Sequence, residues 1–211
     1  MEYPKIETLF VRDEKTFKVT DQLRLPEFDL VKRWLVTEKI DGTNVRVFFD
    51  GANLGVPTVR FKGRTENAQM PTFLLTHLQD TFTAEKVGAA FDEGSSVILF
   101  GEGYGPKIQK GGNYRGDVSF RLFDVRVGEW WLNWDGVDDV ADKLGIRTVP
   151  VLGRCDSLDR AIERLRHGSP VAFQEAENEI PQEGIVARTD PLLMTRGGDR
   201  LMWKLKAKDY A

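Results

Sequence analysis

A lysine at the end of an apolar run is the first residue of this sequence whose setting suggests chemistry. Lys39 closes that run and is followed, after one residue, by Asp41 and Gly42, a pair typical of a tight turn. A lysine at such a point projects from a rigid frame, and its neutral amine can act as a nucleophile. The same spacing also occurs where a surface lysine stands beside a hairpin turn, so the segment taken alone supports either interpretation.

Two carboxylates and a pair of lysines are the other candidate chemical groups. Glu102 ends an apolar run between two glycines, which lets a ligand approach the backbone closely. Glu183 precedes a later apolar run, and Lys204 and Lys206 alternate along the last one, so their side chains should share a strand face. Carboxylates bind hard cations, and ammonium groups bind phosphates. Edge carboxylates and solvated lysines are the structural alternatives.

Short runs rich in β-branched and aromatic residues, set off by Gly, Asp and Asn, must position these side chains. They predict strands at residues 34–39, 44–49, 58–62, 96–101, 119–127, 130–133, 184–188 and 200–205. Apolar residues that recur every three or four positions predict helices at residues 71–82, 137–144 and 158–165. We expect Asp135 and Ser157 to cap the second and third helices. Hairpin-like strand pairs with helices outside predict an α+β fold with largely antiparallel sheets.

Length and composition limit the classes of protein to consider. With 211 residues, 41% of them apolar, the chain can bury one sizeable core, and we expect a single domain over residues 1–211. No run approaches the roughly 18 apolar residues of a membrane span, and the N-terminus lacks a signal-peptide pattern. We therefore expect a cytoplasmic protein with no membrane partner. The single cysteine, Cys155, predicts a buried or inert thiol, because alone it makes neither an internal disulfide nor a thiolate zinc site.

The charge of the chain restricts how it could contact nucleic acid. A formal net charge of −3 argues against a uniformly basic surface, so any such contact must be local. Lys107, Lys110 and Arg115 gather in a segment punctuated by glycines. That segment suits a flexible loop that clamps a phosphate backbone without sequence preference. The alternative is a solvated face that only adds solubility.

Five segments resemble, in the same order, motifs I, III, IIIa, IV and V of the covalent nucleotidyltransferases, the superfamily of ATP-dependent ligases and messenger-RNA capping enzymes. They are TEKIDGTN at 37–44, LFGEG at 99–103, FRLFD at 120–124, EGIVA at 183–187 and WKLK at 203–206. Asn44 stands where DNA ligases and capping enzymes usually carry arginine, and in this it looks like the RNA-repair ligases of bacteriophage and bacteria. Residues 5–12 and 105–112 also resemble that group.

The resemblance implies an ATP-grasp-like nucleotidyltransferase domain with antiparallel sheets flanked by helices. It also implies an ATP-dependent RNA ligase in the cytoplasm of a bacterial cell or a phage-infected host. Lys39 would attack the α-phosphorus of ATP to give lysyl-AMP, AMP would pass to a 5′-phosphate end, and a 3′-hydroxyl would displace it. We expect this catalytic domain to have no oligonucleotide-binding or other C-terminal domain, and a homodimer or an accessory partner to grip the RNA in its place.

The first step needs a neutral amine. A model lysine with a pKa near 10.4 is neutral about once in a thousand at pH 7.4, a deficit of roughly 4 kcal/mol that the site must supply. Nearby positive charge and burial both reduce that deficit. By resemblance, Lys204 and Lys206 supply positive charge and stabilise phosphoryl oxygens, and Glu183 binds the nucleotide through Mg²⁺ or Mn²⁺.

Recognition of the nucleotide would be divided among the remaining motif residues. The resemblance implies base reading by Glu38 and its backbone, stacking on adenine by Phe120, a ribose contact by Glu102, a sugar or phosphate contact by Arg64, and a role in strand joining for Asn44. Asp41 would contact the nucleophile or the metal, or would only shape the turn.

Two rival functions remain at this point. The first is a minimal ATP-dependent DNA ligase that seals nicks in DNA or in RNA/DNA duplexes. The second is a non-catalytic module that binds nucleic-acid ends and has lost turnover. The presence of Lys39, Glu102, Glu183, Lys204 and Lys206 in the chain argues against the second.

Overall fold

Runs of β-branched and aromatic residues form the strands that dominate this protein, and short amphipathic segments form its helices. The structure, a computed structural model, describes residues 1–51, 56–92 and 94–210. Its strands are β1 (Glu7–Thr8), β2 (Phe10–Arg12), β3 (Val19–Leu23), β4 (Trp34–Lys39), β5 (Thr43–Asp50), β6 (Thr58–Lys62), β7 (Ser96–Tyr104), β8 (Ser119–Val127), β9 (Trp130–Trp131), β10 (Arg147–Thr148), β11 (Val151–Cys155), β12 (Gly184–Thr189) and β13 (Met202–Lys206).

The helices are short and separate the strands. They are α1 (Thr72–Thr81), α2 (Ala84–Gly88), α3 (Trp134–Leu144), α4 (Leu158–Glu163) and α5 (Pro170–Ala176), with 3₁₀ turns at Pro26–Leu30, Gly111–Asn113, Arg164–Arg166 and Ala207–Asp209. Within the described residues no helix is both long and apolar enough to span a bilayer.

The chain divides into two compact units. Unit 1 comprises Met1–Tyr3 and Asp41–Thr148, and unit 2 comprises Pro4–Ile40 and Val149–Ala211. The sequence predicts that residues 1–211 act as one domain, and that expectation remains a prediction.

Unit 1 is built on a sheet with the strand order β10-β8-β7-β5-β6, to which β9 is added beside β8. All its pairs are antiparallel except β10 with β8. Because side chains alternate along a strand, Val45, Val47 and Leu99 point to one face and are fully buried. The opposite face carries Asn44 and Glu102, which the register places side by side. One face of this sheet is thus core, and the other carries polar motif residues.

Unit 2 is built on a sheet with the strand order β1-β13-β12-β4-β11, beside the separate hairpin β2-β3. Trp34, Val36, Ile185, Ala187 and Trp203 pack together in a buried core on one face of this sheet. Cys155 is buried in the same core, as expected from the sequence. The residues that alternate with these point to the other face, which carries Lys39, Lys204 and Lys206.

The α+β architecture with mainly antiparallel sheets and intervening helices is therefore confirmed. Strands 34–39, 58–62 and 119–127 have the predicted bounds, and the other predicted strands and helices are present with shifted ends. Ser157 caps α4 as predicted, but the cap of α3 is Asn133 and not Asp135, because the Asn133 side chain accepts the hydrogen bond from the backbone N–H of Gly136. The strands β1, β2, β3, β10 and β11 and the helices α2 and α5 were not predicted.

Candidate active site

The register of three neighbouring strands brings Lys39 and Lys206 to one row of unit 2. In the antiparallel pairs, Gly184 of β12 lies opposite Lys39 of β4 on one side and opposite Lys206 of β13 on the other. Gly184 therefore places no side chain between the two lysines. A Cβ added there would come within 2.4 Å of the Leu205 carbonyl oxygen, which explains why glycine follows Glu183 in this segment.

Glu183 bridges the two lysine amines. Its Oε2 lies 2.6 Å from Nζ of Lys39, and its Oε1 lies 2.6 Å from Nζ of Lys206. The carboxylate side chain is only 13% exposed, whereas the lysine side chains are 25% and 37% exposed. Two ammonium groups therefore share one nearly buried carboxylate, and both lysine side chains are partly exposed to solvent.

Lys204 adds a third amine to this face of the sheet. It lies opposite Val186 on the strand face that also carries Lys206, two residues further along β13. The predicted trio of Lys39, Lys204 and Lys206 is thus placed on one face of one sheet, next to Glu183. We refer to these four residues as the lysine cluster.

The donor set of the lysine cluster fits a divalent cation bound jointly with phosphates. No group of three or more His, Cys, Asp or Glu side chains capable of holding a metal occurs among the described residues. A hard ion such as Mg²⁺ commonly keeps several waters and uses one or two carboxylates together with substrate phosphates. Glu183, a single carboxylate beside ammonium groups, matches that type of site and not a closed protein cage.

The side chain of Glu38 is engaged within the protein. It is 2% exposed, and its Oε2 accepts a 2.9 Å hydrogen bond from the backbone N–H of Val171, while its Oε1 accepts one from the Ser169 hydroxyl. Ser169 is the N-cap of α5, so the carboxylate lies at the N-terminus of that helix. The backbone N–H of Glu38 donates to the Pro150 carbonyl. Both oxygens of this carboxylate are therefore bound at the start of α5, and its predicted reading of a base edge stays a prediction.

Unit 1 carries a second row of motif residues, which we call the polar row. Asn44 of β5, Glu102 of β7 and Arg121 of β8 lie opposite one another on three adjacent strands, with their side chains on one face. The Oδ1 atom of Asn44 is buried and accepts no hydrogen bond from any residue that the structure describes. A buried acceptor without a partner costs free energy, so its presence here suits a site that a ligand donor completes.

Gly42 explains the glycine in the lysine motif. A Cβ at this position would come within 2.4 Å of the Gly103 carbonyl oxygen and 2.8 Å of Cγ of Glu102. The turn after Lys39 can therefore approach Glu102 only because it contains glycine.

Phe120 lies on the opposite face of the unit 1 sheet from Asn44 and Glu102. It pairs with Gly103, is 5% exposed, and packs edge-on against Phe82 with ring centroids 5.2 Å apart. Gly101 leaves room for this ring, since an added Cβ would meet it at 2.0 Å. The structure therefore places Phe120 in the core and not in the polar row, and its predicted stacking on adenine stays a prediction.

Arg64 lies just after β6 and is exposed. The antiparallel register pairs Arg46 with Lys62, and two residues further along it brings Arg64 to the same end of the sheet as Asn44. This placement is compatible with the predicted contact to sugar or phosphate.

Asp41 is held by a residue that the sequence did not single out. Its backbone N–H donates a 3.1 Å hydrogen bond to the hydroxyl of Tyr114, which is 2% exposed. The Tyr114 ring also packs edge-on against Tyr104, at 5.9 Å between centroids. Tyr114 thus ties the turn after Lys39 to the segment that carries the candidate nucleic-acid residues.

That segment forms a hydrogen-bonded turn, and its predicted role as a flexible clamp on a phosphate backbone stays a prediction. Ile108 is 4% exposed, and hydrogen bonds join its N–H to the Gly105 carbonyl and its carbonyl to the N–H of Gly111. Lys107 and Gln109 adopt positive φ angles of 66° and 49°, a left-handed conformation uncommon for residues other than glycine. The segment thus has a defined conformation that exposes polar side chains.

The three basic residues of the segment differ in their surroundings. Lys107 and Lys110 are exposed, whereas Arg115 is paired with Asp117 at 2.6 Å. His77 of α1 lies near this pair, and its pKa is lowered, chiefly by burial and then by the positive charge of Arg115. Arg115 also lowers the pKa of the Asp117 carboxyl, through their hydrogen bond.

Three residues with clear roles at these sites were missed from the sequence. Arg121 is 2% exposed and donates to the Tyr104 hydroxyl and the Thr148 carbonyl, and Tyr114 and Ser169 hold Asp41 and Glu38. Arg121 had a signal, because it alternates with apolar residues inside a buried strand. Tyr114 and Ser169 had none, because their partners are distant in sequence.

A family model described as RNA ligase matches residues 32–206. No curated protein sequence matches the chain significantly. A solved structure of a Naegleria gruberi RNA ligase mutant with ATP and Mn is similar to the whole chain, with a TM-score of 0.68 and 15% identity. The same ligase with PPi is similar to 99% of the chain, with a TM-score of 0.65 and 19% identity.

The chain spans 57% and 62% of the length of those two ligase chains. At under 20% identity the similarity establishes the fold, which is that of the matched part of those structures.

Proposed function

Because the chain belongs to the RNA ligase family, we propose that it is an ATP-dependent RNA ligase that joins 5′-phosphate and 3′-hydroxyl ends through a lysyl-AMP intermediate on Lys39. The observation that carries this proposal is the lysine cluster, in which Glu183 contacts the amines of Lys39 and Lys206 at 2.6 Å each. An amine, two further cations and one carboxylate are the groups that adenylyl transfer requires.

In the first step the Nζ of Lys39 forms a bond to the α-phosphorus of ATP, and the bond from that phosphorus to the bridging oxygen of pyrophosphate breaks. The amine must lose its proton for its lone pair to attack. That proton passes to solvent, to which the Lys39 side chain is 25% exposed, while Glu183 Oε2, 2.6 Å from Nζ, remains an ionised acceptor. This contact must open before the Lys39 amine can approach the α-phosphorus.

Lys204 and Lys206 would act on the phosphoryl oxygens. Negative charge spreads over these oxygens in the transition state, and ammonium groups already oriented on one sheet face stabilise it without reorganisation. Lys206 also contacts Glu183, so the charge of that carboxylate is divided between two amines.

Glu183 would hold a Mg²⁺ or Mn²⁺ ion, which when bound stabilises charge on the phosphates. Its carboxylate has the chemistry of such a site, as described above. The matched Naegleria gruberi structures include forms with ATP and Mn, in line with this assignment. Engagement of the carboxylate by a cation other than Lys39 would weaken its contact with that amine, which is the change that the first step needs.

The polar row of unit 1 would serve nucleotide and strand recognition. Asn44 offers a buried acceptor without a donor, Glu102 a carboxylate for a ribose hydroxyl, and Arg64 a cation at the same sheet end. Glu38 is a positioning residue in this account, because its carboxylate binds α5. Lys107, Lys110 and Arg115 would contact RNA phosphates, supported by the exposure of the two lysines.

We also propose that the two units act as one nucleotidyltransferase domain, working in the cytoplasm of a bacterial cell or a phage-infected host. A homodimer or an accessory partner would help to grip the RNA. These proposals rest on the family resemblance of the motifs and on the extent of the family match.

The test is sealing of matched substrates. The purified protein, ATP and Mg²⁺ are incubated with a nicked duplex whose strands flanking the nick are RNA, and with the same duplex in DNA. We expect faster sealing of the RNA ends. Preference for the all-DNA nick would identify a minimal DNA ligase, and sealing of neither substrate, with no AMP bound to Lys39, would identify a non-catalytic module.

A further inference from the structure

An exposed aromatic residue stands at the tip of the β2-β3 hairpin of unit 2. Phe17 is 72% exposed and has a positive φ of 57°. Both features are unfavourable for a phenylalanine, since the ring forfeits burial and the left-handed conformation crowds its Cβ. Strain of this kind is often kept at functional positions.

The tip is built to hold Phe17 in place. The carboxylate of Asp13 accepts hydrogen bonds from the backbone N–H groups of Lys15 and Thr16 and from the Thr16 hydroxyl, at 2.7 to 3.1 Å. Arg12 donates a 2.9 Å hydrogen bond to the Phe17 carbonyl. The ring is therefore presented by an ordered turn.

The tip also presents positive charge around the ring. Lys15 and Lys18 flank Phe17 within three residues and are exposed, and neither ammonium group pairs with a carboxylate among the described residues. The charge of Asp13 is directed into the turn, whose hydrogen bonds hold the pKa of this carboxyl below its usual value. The outer surface of the tip thus combines an aromatic face with two free cations.

The hairpin is joined to the strand that carries the catalytic lysines. Arg12 forms an ion pair with Asp209, three residues beyond Lys206. A small cavity of about 40 Å³ lies between the hairpin and β13, lined by Thr8, Phe10, Arg12, Val19, Lys204, Leu205, Lys206 and Asp209. The strands of the hairpin and two residues of the lysine cluster, Lys204 and Lys206, therefore border the same cavity.

We propose that the hairpin tip, residues 13–18, binds the RNA strand near its reacting end, with the Phe17 ring stacked on a base and Lys15 and Lys18 in contact with phosphates. This inference rests on the proposed function. An aromatic face between cations matches single-stranded nucleic acid, because every base has a face to stack on and every linkage a negative charge. The occupant is an unpaired stretch of RNA, and recognition does not depend on its sequence.

The experiment uses the full chain and a fluorescently labelled, 5′-phosphorylated single-stranded RNA, with binding followed by anisotropy. Phe17→Asn removes the ring but tolerates the left-handed backbone, and Phe17→Trp keeps an aromatic face. Trp130, 78% exposed on unit 1, supplies the matched control Trp130→Ala. We expect Phe17→Asn to weaken binding about tenfold, and Phe17→Trp and Trp130→Ala to bind as the wild type does.

The lysines are tested by the dependence of binding on salt. The double variant Lys15→Gln/Lys18→Gln should make the slope of log K against log salt shallower by about 1.4, since each phosphate contact to a single strand contributes about 0.7. Formation of lysyl-AMP needs no RNA and is measured in parallel as the check on folding.

The outcomes separate the two proposals. Wild-type affinity of Phe17→Asn, or an unchanged salt slope in the double lysine variant, would overturn the hairpin assignment and leave the ligase assignment intact. RNA binding by a wild-type protein that forms no lysyl-AMP would overturn the ligase assignment and leave the hairpin to be judged by its own variants.

Discussion

Lys39 and Glu183 form an ion pair, with Nζ of the lysine 2.6 Å from Oε2 of the carboxylate. The pair joins the end of β4 to the residue before β12. A nucleophile held in this way is oriented, and in the proposed first step it must separate from its partner before it attacks. The ion pair therefore holds the Lys39 side chain in place within the lysine cluster until the pair opens.

Replacing Glu183 by glutamine should slow the formation of lysyl-AMP by about 100-fold or more, because the neutral amide neither holds a divalent cation nor orients two ammonium groups. The rate is measured by transfer of radiolabelled AMP to the protein at saturating ATP. Glu163→Gln, at an exposed carboxylate of α4, is the control and should react at the wild-type rate. An unimpaired Glu183→Gln would remove this carboxylate from the mechanism.

Replacing Glu38 by glutamine should lower the free energy of unfolding by about 1–3 kcal/mol, because the amide places an NH₂ group against the donors of α5 in a site that is 2% exposed. Urea unfolding measures the change, and the exposed Glu179→Gln is its control. A stable variant with weakened ATP binding would contradict the positioning role and restore base reading to this carboxylate.

The elements that the sequence predicts well are long and strongly patterned. Residues 34–39 and 119–127 are runs of β-branched and aromatic residues, and they form β4 and β8 with the predicted bounds. The strands β1 and β10 have two residues each, too short for any periodicity, and they form only because a longer strand accepts them. Helix α5 has seven residues, and its start is fixed by Glu38, 133 positions before Val171.

The sequence likewise predicts some features of the candidate site and not others. The order of the motifs predicts that Lys39, Lys204, Lys206 and Glu183 belong together, and alternation predicts the shared face of the two strand lysines. Which way Glu38 and Phe120 point depends on what packs against each strand, and the structure places one against α5 and the other against Phe82. Side-chain direction at strand ends is therefore the part that sequence patterns do not contain.

Replacing Tyr114 by phenylalanine should destabilise the turn after Lys39 by about 1 kcal/mol, because the backbone N–H of Asp41 loses its acceptor. We expect lysyl-AMP formation to slow several-fold while the fold is retained. Tyr210→Phe, at a tyrosine that is 47% exposed, is the control. Equal rates for the two variants would show that the Tyr114 hydroxyl does not position this turn.

Stability should depend on pH through His77, whose pKa is lowered from 6.5 by burial and by Arg115. As the pH falls through 6.5, the unfolded chain binds a proton at this residue before the folded protein does, so the unfolded state is favoured. The wild type should therefore lose more stability between pH 7.5 and 5.5 than His77→Gln loses. The exposed His167→Gln serves as the control. Parallel pH profiles for wild type and His77→Gln would contradict the assignment.

The most direct test of the central claim is the intact mass of the purified protein after incubation with ATP and Mg²⁺. We predict an increment of one AMP in the wild type, located on Lys39 by peptide mapping, and no increment in Lys39→Ala. Absence of the increment from the wild type, or its persistence in Lys39→Ala, would contradict the proposal that this amine carries the nucleotide.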